Sequence, residues 1–577
     1  TFDPTNADIT MSTERVYGVL NADQEASLKR VGAFPTETTF AERMAGLKHD
    51  LGLRVTQGLV DQFAALKKVD PKAYMLARLS KGSDGTMEAA LLYGKPFLRD
   101  GVADVDVKDG GFVKTLAKLK GEQDRFLWWV AAQRAERLKA EGKEFLFTGE
   151  DISNLKSLSE GEFADGSKRA PVYAEAMRDL NAFNDAVLAL AEESGLVDPE
   201  ARKLFKDHPY VPFYRVMNDA EASGPRFSSG LVNQKAWKKL KGSSKQLNAD
   251  LLSNMLQNWA HLYSAAAKNR AALAALKSAT AMDVAYPIEG WEAKKGAVTV
   301  MDGGKAVQCK VEDPYMMEAI SALNYTTPEF FKPLSTLKRW LTIGVTASPA
   351  FKIRNLIRDS LSALGQADLN GNALANVAQG WTATKEGSQT LASMTAGGGM
   401  IHFGSSHEGD RSHRARKMID KTGGKVLDAQ GWKALTGQME KLWDAYTELG
   451  DRGENVNRAA LYEQLRAKGV SHAEANFMAR DLLDFSMAGR WPVVRFLTET
   501  VPFMNARLQG LYKLGRAAKE NPKRLGYVVG AVSLASLALM LGYKDDDDWK
   551  KREDWDRDSY WWFKIGDVAF RIPKPFE

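Results

Sequence analysis

Few residues in this chain have the types and spacing that catalysis or metal binding requires. The 577 residues include seven His and one Cys. His402, His407 and His413 cluster in the sequence, but their spacing matches no single helix face and no Cys is near. The acidic run Asp545–Asp548 could bind a cation, yet adjacent carboxylates usually form a solvated face. We therefore expect neither a metal site nor a cofactor.

The sequence also lacks the motifs of nucleophilic and phosphate chemistry. Cys309 lies in a predicted hairpin without a neighbouring base, which favours a structural thiol over a nucleophile. No phosphate-binding loop, dinucleotide fingerprint, zinc-protease helix, nucleophile elbow or kinase signature is present. We expect no catalytic residues. Because the chain begins with Thr1 and ends abruptly at Glu577, we also expect a fragment of a longer polypeptide that could carry enzymatic domains elsewhere.

Composition indicates an ordinary folded protein with a mild positive charge. Hydrophobic residues make up 44% and charged residues 26%, which is enough to bury a sizeable core. The net charge of +6 is weak support for an anionic partner. A lone Cys excludes an intramolecular disulfide and fits synthesis in a reducing cytosol.

The most distinctive stretch is Leu525–Tyr543, which has no charged side chain. As a helix it would be about 28 Å long, close to the hydrocarbon thickness of a bilayer. Lys523 and Arg524 precede it, and the spacing Gly526-xxx-Gly530 places small residues on one face. Two interpretations remain open: a membrane helix, or half of a large buried hairpin in a helical protein.

An amphipathic helix is predicted immediately before this stretch, beginning near Pro502 and ending at Asn521-Pro522. We expect its apolar face and the apolar helix to serve membrane contact or assembly through Pro502, Phe503, Met504, Leu508, Leu511, Gly526, Gly530, Leu534, Leu537 and Leu541. Contact with anionic lipid or DNA is expected from Arg507, Lys513, Arg516, Lys523 and Arg524, and from Lys238, Lys239 and Lys241 in a basic loop.

The remaining patterns predict a mostly α protein, an extended multi-helix assembly with one or two small β-hairpins. One hairpin is predicted at 297–311, around Asp302-Gly303-Gly304, and a second strand pair at Phe563–Ile565 with Val568–Ile572. The Trp-rich tail could anchor at a membrane interface or cap the helical core; the core is slightly favoured. Predicted helices are 112–142, 169–194 and a capping-box helix opened by Thr148 and Asp151.

The predicted organisation has five segments. They are a linker-like segment (1–40), a helical domain (41–215), a helical region with a basic loop and the hairpin (216–330), a helical domain with a flexible Gly/Ser-rich basic loop at 371–425 (331–500), and the amphipathic helix, apolar helix and acidic, Trp-rich tail (501–577).

Three motifs resemble one family. They are Ser348-Pro-Ala-Phe-Lys-Ile-Arg-Asn-Leu-Ile-Arg-Asp359; Asp484-Phe-Ser-x-x-Gly489 with Val501-Pro-Phe-x-Asn-Ala506 and Gln509-Gly510; and Trp562-Phe-Lys-Ile565 with Ile572-Pro-Lys-Pro-Phe-Glu577. Together they resemble the large polyvalent-protein-associated region of giant proteins of tailed bacteriophages. The resemblance covers about residues 320–577, and Tyr210-Val-Pro-Phe-Tyr-Arg215 extends it towards the N-terminus.

This resemblance implies an internal virion protein, or DNA-ejection protein, of a short-tailed phage. Such a protein lies in the capsid near the portal and later helps to form a conduit across the host envelope. The implied partners are further copies of itself, other ejection proteins, portal or tail proteins, phage DNA and the host inner membrane. Two alternatives stay open: a non-catalytic region of a giant virion enzyme (an RNA polymerase or a cell-wall-cleaving protein), and a portal-docked scaffold without a membrane role.

Overall fold

The computed structural model describes residues 51–206, 251–288, 297–324, 349–367, 371–400, 437–482, 486–566 and 568–574, with the single positions 338, 369 and 484. The chain divides into two compact units, Thr1–Thr56 and Gln57–Glu577. The elements below belong to the second unit, and most of them are helices, so the prediction of a mostly α fold is confirmed.

The helices have the following bounds: α1 Ala64–Val69, α2 Pro71–Ser80, α3 Asp84–Leu92, α4 Phe112–Lys118, α5 Gln123–Ala140, α6 Gly149–Lys156, α7 Arg169–Glu193, α8 Pro199–Lys206, α9 Leu251–Ala281, α10 Pro314–Ser321, α11 Pro349–Gln366, α12 Ala373–Ala383, α13 Gln389–Ala396, α14 Gly437–Ala467, α15 His472–Asp481, α16 Pro492–Thr500, α17 Met504–Glu520, α18 Pro522–Tyr543, α19 Asp547–Lys550 and α20 Asp554–Ser559. Short 3₁₀ turns lie at Ser157–Ser159 and Ala322–Asn324.

The strands form three small antiparallel sheets. Their bounds are β1 Pro96–Arg99, β2 Val102–Val105, β3 Ala285–Ile288, β4 Ala297–Asp302, β5 Lys305–Val311, β6 Tyr560–Ile565 and β7 Val568–Pro573. β1 pairs with β2, β6 pairs with β7, and β5 lies between β3 and β4. The two predicted hairpins are therefore confirmed, whereas β1, β2 and the added strand β3 were missed because their four-residue runs show little alternation.

The β4–β5 hairpin turns at Gly303 and Gly304, whose φ values of 56° and 76° suit the tight turn predicted from their sequence. Asn269 of α9 fixes the hairpin to the helices. Its amide donates to the Met301 carbonyl (2.8 Å), and its carbonyl accepts from the Met301 N–H (2.9 Å). This docking supplies the support that a small sheet needs.

One aromatic core joins α4, α5, α7 and α9. Trp259 lies at its centre, stacked on Phe183 and edge-on to Phe112 at a centroid separation of 5.1 Å. The Trp259 indole N–H donates to the Asn184 side-chain oxygen at 3.0 Å. A buried Trp thus gains its apolar contacts without leaving its polar atom unpaired.

The predicted helix 112–142 is wrong as a single element. Lys120 and Gly121 have φ values of 51° and 93°, and a right-handed helix cannot pass through two left-handed residues. The chain therefore ends α4 at Lys118 and begins α5 at Gln123. The capping box at Thr148 and Asp151 is confirmed, as is the long helix α7.

The predicted flexible loop 371–425 contains two helices within its described part, so that prediction is wrong for residues 373–396. Asn372 and Ser388 accept N–H bonds from Ala375 and Leu391, each at 3.1 Å, and so cap α12 and α13. Two of the polar residues that predicted a flexible loop are therefore helix caps. Residues 401–436, with the three clustered His, lie outside the described residues, as do the basic loop at 216–246 and the segment 1–40.

A second core packs α12 and α15 against the long helix α14. Its centre is built largely from Ala and Leu on α14, with Met394 of α13 filling the space beside them. This core supports the C-terminal region through α11, which packs against α14, α17 and α18.

Candidate membrane-contact site

Two helices meet at a sharp break near the C-terminus. α17 ends at Glu520, as the pair Asn521-Pro522 predicts. α18 begins at Pro522, before the predicted start at Leu525, because Pro is favoured in the first turn of a helix. The start of α17 was predicted at Pro502 but lies at Met504. Phe503 has a φ of 60°, a left-handed conformation that cannot belong to the first helical turn.

α18 has 22 residues and is about 33 Å long, enough to cross the hydrocarbon core of a bilayer. By length and composition it is the one helix among the described residues that could do so. Only 6% of its most apolar window is buried. The alternative in which α18 is half of a buried hairpin within this chain is therefore wrong.

One narrow stripe of α18 faces the rest of the protein. Its members, spaced three or four residues apart, are wholly or partly buried: Leu525, Val528, Val532, Ser536, Leu539 and Tyr543. α11, α17 and β6 pack against the helix. On the other sides large apolar side chains are exposed, including Tyr527, Leu534 (69%), Leu537 and Leu541. Apolar surface of this extent on one element marks an interaction site rather than ordinary scatter.

The predicted small-residue pair lies on the side away from the body of the protein. A Cβ atom added at Gly526 or Gly530 would meet nothing within 4 Å. Each Gly costs a helix about 1 kcal/mol relative to Ala. Among the described residues, no neighbour requires Gly at either position. Both positions are therefore open to close contact from another molecule.

The tail folds back along the covered stripe of α18. The Trp561 indole N–H donates to Ser536 Oγ at 2.6 Å, and the Lys564 N–H donates to the Tyr543 hydroxyl at 3.0 Å. Lys564 Nζ pairs with Asp546 (2.6 Å) and Asp548 (3.0 Å) in the acidic run. The hydrogen bond from Lys564 lowers the pKa of Asp546. The β6–β7 hairpin is thus attached to α18 at its middle and at its end.

Residues 546–574 of the tail are called here the C-terminal module. Asp556 is buried between Arg571 (2.7 Å) and Arg552 (3.3 Å), and both guanidiniums lie over the Trp562 ring. Trp562 is buried, whereas Trp555 is exposed. The buried Trp562 agrees with the predicted role in the packed interior, whereas anchoring of the exposed Trp555 at a membrane interface stays a prediction.

Of the basic residues predicted to meet lipid or DNA, Arg507 and Lys523 are exposed. Arg524 is engaged within the protein: its Nε donates to the Leu364 carbonyl at 2.6 Å and its Nη2 to the Leu369 carbonyl. It thereby binds α18 to the C-terminal end of α11, where a cation is favoured. Leu511 is exposed, whereas Pro502, Phe503, Met504 and Leu508 are half-buried.

For Lys513 and Arg516, the predicted contact with lipid or DNA is wrong. Lys513 is 4% exposed, and its Nζ lies 2.9 Å from Asp481 Oδ1. Burial lowers the pKa of Lys513 to about 8, although Asp481 opposes the shift. Arg516 pairs with the same carboxylate and with Glu520. Both cations therefore bind α17 to α15 instead of facing lipid or DNA, because Asp481 offers a buried partner that the sequence pattern did not reveal.

Asp481 belongs to a buried ion-pair network, called here the Arg78 network. Arg78 donates from Nε to Asp484 (2.9 Å), from Nη2 to Asp481 (2.9 Å) and from Nη1 to the Tyr74 hydroxyl (2.7 Å). Arg480 Nε lies 3.3 Å from Asp484. Burial opposes ionisation of Asp484, but Arg480 and Arg78 outweigh it and hold its pKa well below the usual range.

The motif residues Asp484, Ser486, Gly489 and Gln509 have structural roles in this region. Ser486 Oγ donates to Asp484 at 2.6 Å, and Gln509 donates to the Val60 carbonyl at 3.0 Å. A Cβ at Gly489 would lie 2.1 Å from the Gly58 carbonyl oxygen. Together with Arg78, these residues join the segment near Val60 and α2 to α15 and α17, the helices that precede α18.

Other predicted site residues lie elsewhere. Lys238, Lys239 and Lys241 are outside the described residues. Within the ranges that the structure covers, no group of three or more His, Cys, Asp or Glu is arranged to hold a metal ion. Cys309 is buried, and burial raises the pKa of its thiol, as expected of a structural residue.

Comparison with known proteins gives one match. The family model described as large polyvalent protein associated domain 38 matches residues 546–577. No curated protein and no solved structure matches the chain. The matched residues include the C-terminal module, and the match supports the polyvalent-protein part of the resemblance: this segment is similar to a domain of large polyvalent proteins.

Proposed function

We propose that this protein is an internal virion protein of a tailed bacteriophage that contacts the host membrane through α18 during DNA delivery. The observation that carries the proposal is the exposure of an apolar, membrane-length helix joined directly to the module that matches a polyvalent-protein domain. The sequence motifs that resemble internal virion proteins support the same role.

The energetics favour an external partner for α18. Six large side chains on it are at least 40% exposed: Tyr527, Val529, Leu534, Leu537, Met540 and Leu541. Since full burial of such a side chain is worth about 1.5–3 kcal/mol, covering these partly exposed groups would return on the order of 5–10 kcal/mol. That gain is comparable to the stability of a whole domain.

The docked hairpin constrains how α18 meets a bilayer. β6 lies along the covered stripe, and its Lys564 and two-stranded backbone edges would be costly in hydrocarbon. With the hairpin in place, we propose that α18 lies along the membrane surface with its exposed face in the acyl region. Full spanning requires the hairpin to leave the covered stripe.

The exposed face also favours a second candidate, a portal-docked scaffold in which a neighbouring capsid protein covers α18. In that case the helix would meet protein and never lipid. A non-catalytic region of a giant virion enzyme is the third candidate, and the remainder of such a gene would carry the enzymatic motifs.

Liposome co-sedimentation of the full chain separates membrane contact from the scaffold role. The test variant carries Leu534→Asp and Leu537→Asp, and the matched control carries Leu374→Asp, an 82% exposed position on α12. Two Asp residues on the face that enters the acyl region remove the burial of two Leu side chains, which is worth about 3 kcal/mol or more, and add the cost of desolvating two carboxylates. Membrane contact predicts that wild type and control sediment in high salt while the double variant stays in solution. If none of the three sediments, the membrane role is refuted and the scaffold takes its place.

A further inference from the structure

The side chains on the exposed face of α18 change in size along the helix. With 3.6 residues per turn, Gly526, Gly530, Leu537 and Leu541 lie opposite the covered stripe, with Leu534 near the middle of the helix. This set is called here the free face. Gly residues near one end and Leu near the other leave it uneven in height, so it offers both a shallow region and protruding side chains.

The two ends of α18 carry opposite charge. Lys519 and Lys523 are exposed near its beginning, and Asp545 and Asp547 are exposed just after its end. The helix dipole has the same polarity as these charges, positive at the N-terminus. A second α18 in the parallel orientation would place like charges and like dipole ends together. An antiparallel one would place Lys523 of each copy near Asp545 of the other.

We infer that, in the absence of a membrane, the free face of α18 is covered by the same face of a second copy, antiparallel and related by a two-fold axis near Leu534. The contact is isologous, so each charge pairing occurs twice. Small residues at Gly526 and Gly530 allow the two helices to approach closely. The pair protects the apolar face from water and must separate before that face can enter lipid; the inference therefore rests on the proposed membrane role.

The C-terminal module does not obstruct this arrangement, since it contacts α18 through Ser536 and Tyr543 on the covered stripe. The free face is on the other side of the helix. The Lys564 pairs with Asp546 and Asp548 leave Asp545 and Asp547 as the carboxylates that can meet a second copy.

The test is light scattering after size exclusion with the full chain and no lipid or detergent. Wild type should be a dimer. Leu537→Asp should be a monomer with an unchanged helical circular dichroism spectrum, and Leu374→Asp should remain a dimer. Lys523→Glu should raise the dimer dissociation constant by about tenfold, because two exposed ion pairs become repulsive contacts. Lys523→Glu combined with Asp545→Lys in one chain should restore it.

Three results would overturn the inference: a wild-type monomer, a dimer that is insensitive to Leu537→Asp, or a Lys523→Glu variant as tight as wild type, which would exclude the antiparallel orientation. Vesicle flotation of the same proteins keeps the two proposals separable. A wild-type monomer that floats with vesicles refutes only the dimer, with lipid as the occupant of the free face. A dimer that never binds vesicles refutes only the membrane role.

Discussion

Replacing Asp484 by Asn tests the Arg78 network, which joins α2 to α15 and, through Asp481, to α17. The Asp484 side chain is fully buried between Arg78 and Arg480, and both guanidiniums are almost inaccessible to water. Asn keeps the shape of the side chain but removes its charge. Two buried cations then lose a counter-charge that compensated their desolvation.

Breaking a buried pair in this way costs about 3–5 kcal/mol. Asp481 still pairs with Arg78, which keeps the loss in that range and not above it. The matched control is Asp179→Asn. Asp179 pairs with Lys118 at 2.9 Å, but both side chains are about one-third exposed. Such a pair contributes at most about 1 kcal/mol.

Urea unfolding at pH 7, followed by circular dichroism and by Trp fluorescence, measures both variants. We expect the free energy of unfolding to fall by about 3–5 kcal/mol for Asp484→Asn and by less than about 1 kcal/mol for Asp179→Asn. Equal losses for the two variants would refute the conclusion that the Arg78 network is a principal tie between the N-terminal helices and α15.

Three further predictions concern the same region. Because the folded-state pKa of Asp484 is depressed, the stability that its carboxylate contributes is present above the ordinary Asp pKa of about 3.9 and is lost as the pH falls through the lower folded value. The free energy of unfolding should therefore fall more steeply with acid for wild type than for Asp484→Asn. Identical slopes would contradict the depressed pKa. Gly489→Ala places a Cβ against the Gly58 carbonyl oxygen and should cost about 1–3 kcal/mol by urea unfolding. The control Gly453→Ala, within α14 and with open space around it, should cost nothing, and equal losses for the two variants would contradict the close contact. Trp561→Phe removes the indole donor to Ser536 and should increase protease cleavage of the β6–β7 hairpin while sparing α7; unchanged cleavage would show that this bond does not hold the hairpin.

The local chemistry of α18 was predictable because it depends on neighbours in sequence. The uninterrupted apolar run predicts the helix, and Asn521-Pro522 predicts the end of α17 before it. The β4–β5 turn was predictable for the same reason, since Gly303 and Gly304 supply two positive φ values in succession. Such signals lie within a few residues and need no tertiary information.

The fates of Lys513, Arg516 and Arg524 were not predictable in this way. Amphipathic spacing shows that a Lys lies on a polar face, but it does not show that Asp481 will bury that face. Gly121 alone does not predict the break between α4 and α5, because a helix tolerates a single Gly. The break depends on Lys120, whose left-handed conformation its residue type does not predict. The three cations bind groups on other helices or beyond them: Asp481 for Lys513 and Arg516, and the Leu364 and Leu369 carbonyls for Arg524. A local sequence pattern carries no information on such partners.

The most direct test of the membrane role places an environment-sensitive fluorophore on the free face. Leu537→Cys in a Cys309→Ala background is labelled with NBD and mixed with anionic vesicles; Leu374→Cys in the same background is the control. The proposed function predicts a blue shift and a marked gain in intensity at residue 537 only, because that side chain enters the acyl region. Unchanged emission at residue 537, or equal changes at 537 and 374, would contradict it.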